Sequence, residues 1–254
     1  MSQEKFNDGP VSADLWQQRT ALLIGEDRLK RLQNAHVFVA GVGGVGGIAA
    51  EMIARAGVGE MTLADGDVVE SSNRNRQIVA LTGTVGKLKT DVMAERLLQI
   101  NPSLRLHLIP SYLQNESLHN ALSMQTYHCV LDAIDSISPK LHLILYCVEH
   151  QIKLVSCMGS GARLDPELVR CADISETYGC ALARVMRKRL SKHGVSRGVQ
   201  VIFSPETAVP GSVVESGEDE PLHKRSVTGT ISYMPAIFGC HCASAVIRQI
   251  IGES

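Results

Sequence analysis

The sequence lacks a surplus of charge of either sign. Its 25 lysines and arginines stand against 26 aspartates and glutamates, so the formal net charge is −1. This balance excludes a globally basic nucleic-acid-binding protein, because such proteins carry an overall positive field. It does not exclude a local basic surface.

Long apolar runs are also absent. No apolar stretch reaches the roughly 18 residues that a membrane-spanning helix needs. Residues 226–247 contain no Asp, Glu, Lys or Arg, but they include Gly229, Pro235 and Gly239, so they predict a buried helix. The first ten residues are polar and have no apolar signal core. We therefore expect neither a membrane partner nor secretion.

The seven cysteines include no CxxC pair. An odd number at irregular spacing is typical of reduced thiols in the cytoplasm. Cys240, His241 and Cys242 are adjacent, but they lie in a predicted helix where neighbouring side chains point to different faces, which is a poor tetrahedral site. We therefore expect a cytoplasmic protein without a structural zinc.

Strand and helix patterns alternate along the chain, which predicts an α/β fold with a doubly wound, Rossmann-like, mostly parallel sheet. We divide the 254 residues into a helical N-terminal segment (1–34), a core (35–160) and a C-terminal α/β extension packed on the same domain (161–254). Short apolar runs predict strands at 36–40, 60–64, 104–109, 129–133, 153–157 and 199–204. Helical patterns cover 15–32, 48–56, 85–100, 118–125, 139–150 and 181–192.

A glycine cluster follows the first predicted strand, with glycines at positions 41, 43, 44 and 46. Glycines between a strand and a helix allow a tight turn and let backbone amides approach phosphate oxygens. Asp65 ends the second strand about 20 residues further on, where a carboxylate can accept hydrogen bonds from ribose hydroxyls. A structural turn and a surface acid would explain each feature alone, but the joint spacing favours an adenine nucleotide.

Charged residues follow in an order that a hydride-transfer enzyme does not need. Asp67, the run 72–77 (Ser-Asn-Arg-Asn-Arg-Gln) and Lys89 come after the second strand, and Asp135 comes after the strand 129–133. The carboxyl ends of parallel strands share one edge of a sheet, so these groups should converge there. Cations at that edge would neutralise a triphosphate during nucleotidyl transfer. A carboxylate there suits Mg²⁺.

These motifs resemble the adenylation domain shared by the ubiquitin-activating, molybdopterin-synthase-activating and thiamine-thiocarboxylate enzymes. The resemblance implies ATP and Mg²⁺ binding and transfer of AMP to a carboxylate with release of pyrophosphate. It implies that Asp65 binds the ribose, that Asp135 binds the Mg²⁺ of ATP, and that Arg76 often crosses a dimer interface. The catalytic set that it implies is Arg76, Lys89, Asp135 and Arg19. The nucleotide-binding set is Gly41, Gly43, Gly44, Gly46, Asp65, Asp67, Ser72, Asn73, Arg76, Gln77, Lys89, Asp135 and Ser136.

The whole chain is most similar to one branch of that family, the tRNA threonylcarbamoyladenosine dehydratases. The similarity includes residues 19–25, 73–77, 132–136 with Lys140, 173–177 and 203–206. It departs at Tyr178-Gly179-Cys180, where the branch usually has Asp-Pro. The resemblance implies an ATP-dependent, ligase-type enzyme that cyclises N6-threonylcarbamoyladenosine beside the anticodon by adenylating its threonyl carboxylate. It also implies a homodimer, and it is compatible with a cysteine-desulfurase or sulfur-acceptor system as a partner.

Other functions account for less of the sequence. An adenylyltransferase for a ubiquitin-like sulfur-carrier protein is the main alternative, although such branches commonly hold zinc with two CxxC pairs. A nucleotide sensor without chemistry has no need for Arg76, Lys89 and Asp135 together. An NAD-dependent dehydrogenase leaves residues 73–77 and Lys89 unexplained.

A local basic surface is predicted on the helix 181–192. Arg184, Lys188 and Lys192 are spaced i, i+4, i+8 and line one face, and residues 177–205 contain no Asp or Glu. We call these three cations the basic stripe. A solvated helix face is one explanation, and salt-dependent binding of a phosphate backbone is the other. With the resemblance, the pattern predicts that Arg184, Arg187, Lys188 and Lys192 contact tRNA.

Overall fold

The computed structural model describes residues 15–215 and 226–252. The first 14 residues of the predicted N-terminal segment, and residues 216–225 and 253–254 of the predicted extension, lie outside the described residues. The helices are α1 (Gln18–Ile24), α2 (Glu26–Gln33), α3 (Gly44–Arg55), α4 (Lys89–Ile100), α5 (Asn115–Ser123), α6 (Ile137–Glu149), α7 (Ala181–Ser191) and α8 (Tyr233–Ile251). The strands are β1 (His36–Ala40), β2 (Glu60–Ala64), β3 (Arg105–Ile109), β4 (Cys129–Asp132), β5 (Leu154–Cys157), β6 (Arg170–Asp173), β7 (Gln200–Phe203), β8 (Val213–Glu215) and β9 (Ser226–Thr228).

Seven strands form one sheet in the order β3-β2-β1-β4-β5-β7-β6, and β8 pairs with β9 separately. All neighbouring pairs in the large sheet are parallel except β6 with β7. The predicted doubly wound, mostly parallel sheet is therefore confirmed. The strand order reverses between β1 and β4, and the carboxyl ends of strands at such a reversal form the usual ligand crevice.

Helices cover both faces of the sheet, which explains why the central strands are buried along almost their whole length. All five residues of β1 are buried. One core joins the sheet to α3, α4 and α8 around Ile53, Met93 and Phe238. The other joins it to α5, α6 and α7 around Phe38 and Ile144. The loops at the carboxyl edge are thus held between two packed layers.

Helix α8 is long and apolar enough to cross a membrane by length and composition, with a mean hydropathy of 1.3, and half of it is buried in the fold. Its buried side includes Met234, Phe238, Cys242 and Val246, which pack into the core beside α3. A Cβ on Gly239 would lie only 2.7 Å from the Val45 carbonyl oxygen, so the two helices cross closely. The predicted buried helix is confirmed, although it begins at Tyr233.

The C-terminal extension completes the sheet rather than forming a separate layer. β7 pairs with β5 in parallel, and β6 closes the edge in the antiparallel direction. The sequence pattern predicts β7 but misses β6. β6 has only four residues, none of them buried, so it has no apolar run to reveal it.

Candidate active site

The glycine loop between β1 and α3 forms the floor of the crevice. Gly41 has φ +87°, and a Cβ there would lie 3.0 Å from the Ala133 carbonyl oxygen in the loop after β4. A Cβ on Gly46 would collide with the carbonyl oxygen of Gly41. Gly43 is the N-cap of α3 and supplies no capping side chain. The first turn of α3 can therefore direct its backbone N–H groups at an anion.

Asp65 bridges the glycine loop and the chain that follows β2. Its Oδ2 accepts a hydrogen bond from the backbone N–H of Val42 at 2.8 Å, and its Oδ1 accepts one from Asp67 at 2.8 Å. Burial raises the pKa of Asp65 above its ordinary value, and the nearby Lys89 ammonium and these two N–H groups oppose that shift. The structure thus places this carboxylate against the glycine loop, and its predicted role in binding a ribose stays a prediction.

Lys89 begins α4 and is held by a carboxylate next to Asp65. Its Nζ lies 2.6 Å from Asp67 Oδ2, and only 6% of its side chain is exposed. Tyr112 donates its phenolic proton to Asp67 Oδ1 at 2.6 Å, and this hydrogen bond raises the pKa of Tyr112 to about 12. Asp67, predicted to bind nucleotide, is therefore a partner of Lys89. Tyr112 is not among the site residues predicted from the sequence, although a polar aromatic residue shortly after a strand is a signal that could have identified it.

The segment 72–77 packs against the glycine loop. A Cβ on Gly44 would lie 3.3 Å from the Arg76 carbonyl oxygen, and one on Gly43 would lie 3.7 Å from the Gln77 amide nitrogen. Gln77 is buried, and its Oε1 has no hydrogen-bond partner among the described residues. Because buried acceptors are normally satisfied, this oxygen fits a site that receives a ligand donor.

The remaining polar groups of this segment are locally ordered. The half-buried Arg76 donates from Nη1 to the Ser72 carbonyl oxygen at 3.1 Å and to Asn75 Oδ1 at 2.9 Å. The buried Asn73 accepts from the backbone N–H of Glu70 at 3.2 Å. The exposed Ser72 donates its hydroxyl proton to Glu70 Oε2 at 3.2 Å. Both Asn73 and Arg76 therefore lie on the loop that borders the crevice.

Asp135 lies in the loop between β4 and α6, on the other side of the strand reversal. It is exposed and accepts a hydrogen bond from the Ser136 hydroxyl at 3.2 Å. A cleft of about 360 Å³ begins at Ser136 and is also lined by Gln114, Pro139 and His142. Such a volume is in the range of small-molecule sites.

A fully buried ion pair fixes the start of this loop. Lys140 Nζ lies 2.6 Å from Asp132 Oδ2 and donates to the Cys157 carbonyl oxygen at 2.8 Å. Ser156 donates to the same Asp132 oxygen at 2.6 Å, and Asp132 Oδ1 accepts from the Ile134 N–H at 3.1 Å. The side chains of Lys140 and Asp132 have no exposed surface. This network connects three elements beneath Asp135.

The structure does not bring Arg19 to the glycine loop of its own chain. Arg19 is exposed on α1, just after Gln17, which contacts Gly57 in the turn after α3. α3 has 12 residues, so this turn is about 18 Å from the glycine loop. The role of Arg19 stays a prediction.

The basic stripe lies on the outer layer of the fold. Its three cations are exposed, and α7 buries Ala183, Met186 and Leu190 on the opposite side. Arg187 is half-buried, and its guanidinium donates to the Thr177 hydroxyl. α7 begins near the carboxyl edge of the sheet, because a Cβ on Gly159, after β5, would lie 3.9 Å from Leu182 Cβ.

Comparisons with known proteins cover nearly all of this chain. The model of the ThiF family matches residues 17–254. The tRNA threonylcarbamoyladenosine dehydratase of Escherichia coli (strain K12) is 42% identical over an alignment 262 residues long. The alignment covers 96% of this chain and 97% of that protein. The protein of the same name from Bacillus subtilis (strain 168) is 37% identical, with 92% and 94% covered. A crystal structure of the E. coli dehydratase in complex with ATP matches with a TM-score of 0.84 and 36% identity, covering 94% of this chain and 96% of that one.

Proposed function

This chain belongs to the ThiF family, and on that premise we propose that it is an ATP-dependent, ligase-type tRNA threonylcarbamoyladenosine dehydratase. The main support for the proposal is the extent of the similarity to the E. coli dehydratase. It includes the C-terminal extension (161–254) as well as the predicted core (35–160) that contains the glycine loop. A shared adenylation core alone would fit many carboxylate substrates. A match over the whole length favours the same substrate class.

The crevice has the groups that ATP requires. We assign the ribose to Asp65 and the phosphates to the first turn of α3 and to Lys89. The buried Gln77 Oε1, which has no partner among residues 15–215 and 226–252, supports a ligand at this position. Lys89 already has an anionic partner, Asp67. The triphosphate of ATP would therefore either displace the Asp67 carboxylate from the Lys89 ammonium or bind the ammonium together with it.

The proposed reaction has two steps. The threonyl carboxylate of the modified adenosine attacks the α-phosphorus of ATP, so a carboxyl oxygen–phosphorus bond forms and pyrophosphate leaves. A carbamoyl atom of the same side chain then attacks the activated carbonyl and expels AMP. The net change in the nucleoside is loss of one water. Because ring closure is intramolecular, the protein mainly has to position the groups and exclude water.

Arg76 and Lys89 would oppose the negative charge that moves onto pyrophosphate as it leaves. Asp135 and the Ser136 hydroxyl offer oxygen atoms at the carboxyl edge, which is the donor type that Mg²⁺ prefers. When bound there with ATP, Mg²⁺ would supply further neutralisation of the phosphates. Arg76 stays a prediction as a residue that crosses a dimer interface.

We assign the tRNA backbone to the basic stripe. Because α7 begins near the carboxyl edge, the stripe leads from the crevice along the outer layer of the protein. Phosphate contacts along such a line would hold the tRNA while the modified base enters the crevice. Arg187 is the least available of the predicted contacts, since Thr177 already accepts from its guanidinium.

We propose a second copy of the chain as the partner that covers α1, as the family resemblance implies. This helix buries none of its own residues, and Leu22 and Leu23 are 86% and 84% exposed. Adjacent exposed leucines on one short helix are typical of a surface that another chain covers. A sulfur-transfer partner and a cytoplasmic location stay predictions from the sequence.

The test is mass spectrometry of nucleosides from tRNA that carries threonylcarbamoyladenosine, after incubation with the protein, ATP and Mg²⁺. We expect a nucleoside lighter by one water that forms only with ATP. Arg76→Ala should abolish it, whereas the matched control Arg74→Ala, an exposed neighbour, should retain it. No mass change, together with pyrophosphate exchange that requires a sulfur-carrier protein, would replace the dehydratase with the adenylyltransferase alternative.

A further inference from the structure

Three side chains of types that bind metals lie together near the amino ends of β1 and β2, on the side of the sheet away from the nucleotide crevice. His36 begins β1 and pairs in register with Glu60, which begins β2. His107 in β3 pairs with Thr62, two residues after Glu60 and therefore on the same face of the sheet. The ligand atoms of His36, Glu60 and His107 all lie within 4.8 Å of one another, and no other such group of three occurs among the described residues.

The two oxygens of Glu60 have different surroundings. Oε2 forms an ion pair with Nη2 of Arg105 at 2.7 Å, and the Arg105 side chain is 64% exposed. Oε1 faces both imidazoles, at 2.7 Å from His107 Nε2 and 3.7 Å from His36 Nδ1. One oxygen is thus neutralised towards solvent. The other shares a hydrogen bond with His107 Nε2, and a cation between the histidines would replace that hydrogen bond.

The hydrogen bonds around His36 determine which of its nitrogens carries the proton. Nε2 lies 2.9 Å from the Thr62 hydroxyl, and this hydroxyl also interacts with the hydroxyl of Tyr127. Tyr127 donates its own proton to the Ala121 carbonyl oxygen at 2.8 Å. Thr62 can then donate to Tyr127 and accept from Nε2–H of His36, which leaves the lone pair on Nδ1.

This assignment directs the Nδ1 lone pair at a carboxylate oxygen. The distance of 3.7 Å between Nδ1 and Oε1 is too long for a hydrogen bond. Two electron-rich atoms that face each other across this gap are stabilised by a cation between them. A histidine that donates its other N–H to a fixed acceptor is also the usual arrangement at metal sites, because the acceptor sets both tautomer and ring orientation.

We propose that His36 Nδ1, Glu60 Oε1 and His107 Nε2 bind one divalent transition-metal ion of the Zn²⁺ class. Two imidazoles and one carboxylate suit Zn²⁺ and similar ions, whereas Mg²⁺ prefers oxygen ligands. Ligands about 2.05 Å from a tetrahedral zinc stand about 3.3 Å apart. His107 would therefore withdraw by about 0.6 Å from Glu60, which its 40% exposed side chain allows. The same exposure leaves a side open to a water ligand.

The site lies too far from the crevice to take part in adenylation. β1 has five residues, from His36 to Ala40, and it spans about 13 Å between this site and the glycine loop. A metal here would join the first residues of β1 and β2 to the middle of β3. The absence of CxxC pairs led us to expect no structural zinc, but these ligands lie far apart in sequence and only the sheet brings them together.

The first test uses the wild-type protein after treatment with EDTA. Calorimetric titration with Zn²⁺ should show one ion bound per chain, and the melting temperature should rise because Zn²⁺ binds the native state. Co²⁺ should give the visible ligand-field spectrum of nitrogen and oxygen ligands without a thiolate charge-transfer band. Absence of Zn²⁺ binding, or a thiolate band from the exposed Cys171 or Cys240, would overturn the proposal.

The second test uses variants. His107→Ala should weaken Zn²⁺ binding by more than about tenfold, since even loss of an indirect partner costs that much at metal sites. His193→Ala, at an exposed histidine on another surface, should bind like wild type. Equal binding by wild type and His107→Ala would overturn the assignment. If that variant does not fold, Glu60→Gln and the wild-type Co²⁺ spectrum decide the question, and neither readout depends on the dehydratase activity.

Discussion

Lys140→Met provides a direct test of the ion pair beneath the β4–α6 loop. The substitution keeps most of the side-chain volume but removes the ammonium that binds Asp132 Oδ2 at 2.6 Å. Within residues 15–215 and 226–252, Asp132 would keep only the Ser156 hydroxyl and the Ile134 N–H as donors. Because neither side chain of the pair has exposed surface, water cannot replace the lost partner without opening the core.

The expected loss is large for a single substitution. Breaking a buried ion pair by removing one partner costs about 3–5 kcal/mol, because it leaves a buried charge without compensation. That is a substantial part of the roughly 5–15 kcal/mol that stabilises a typical domain. The matched control is Lys30→Met at an exposed lysine of α2, which should change the free energy of unfolding by no more than about 0.5 kcal/mol.

Urea denaturation at neutral pH measures both variants. Asp132→Asn alone should cost a similar amount, since it leaves Lys140 charged and buried. The double variant should cost less than the sum of the two by about 2 kcal/mol or more, because it leaves no buried charge. A loss below about 1 kcal/mol for Lys140→Met would refute the reasoning. We also expect weaker ATP binding in this variant, since Asp132 holds the N–H of Ile134 next to Asp135.

Three further predictions test the proposed site. As the pH falls, ATP affinity measured by calorimetry should begin to weaken at a higher pH than it would with an ordinary aspartate. Burial raises the pKa of Asp65, and only the ionised carboxylate accepts hydrogen bonds from both ribose hydroxyls. An unchanged ATP affinity in Asp65→Asn would remove this role. Replacing the three cations of the basic stripe by glutamate should reduce the salt dependence of tRNA binding without changing ATP affinity. The plot of log affinity against log salt concentration should become shallower by about 2. An unchanged slope would show that the stripe is ordinary surface. Replacing Leu22 and Leu23 by aspartate should lower the mass seen in sedimentation from dimer to monomer, and a dimeric variant would show that α1 is not the interface.

The parts of the fold that depend on local pattern were predicted from the sequence. Each central strand is a short, mostly apolar run, and the glycine cluster after β1 predicted a tight turn into a helix. The mostly parallel sheet followed from the alternation of strands and helices. The parallel sheet in turn predicted that Asp65 lies close to the glycine loop, because both follow the carboxyl ends of neighbouring strands.

The parts that depend on distant contacts were not predicted. β6 has no apolar pattern and exists because β7 offers an edge. Asp67 has the sequence position of a nucleotide ligand, but the structure pairs it with Lys89, which approaches from α4. The cluster of His36, Glu60 and His107 has no local motif, since each ligand comes from a different strand. Only strand order and register place such groups together.

The close crossing of α3 and α8 affects when the protein can acquire its nucleotide site during synthesis. α3 carries the glycine loop at its start, yet the helix that covers it is Tyr233–Ile251, at the far end of the described chain. Contacts of such long sequence separation form late and slow folding. On the ribosome, α3 would remain without its covering helix until residues 233–251 have emerged. Nucleotide affinity would therefore appear only after α8 has been synthesised, and ATP would selectively stabilise molecules that contain α8 over molecules that lack it.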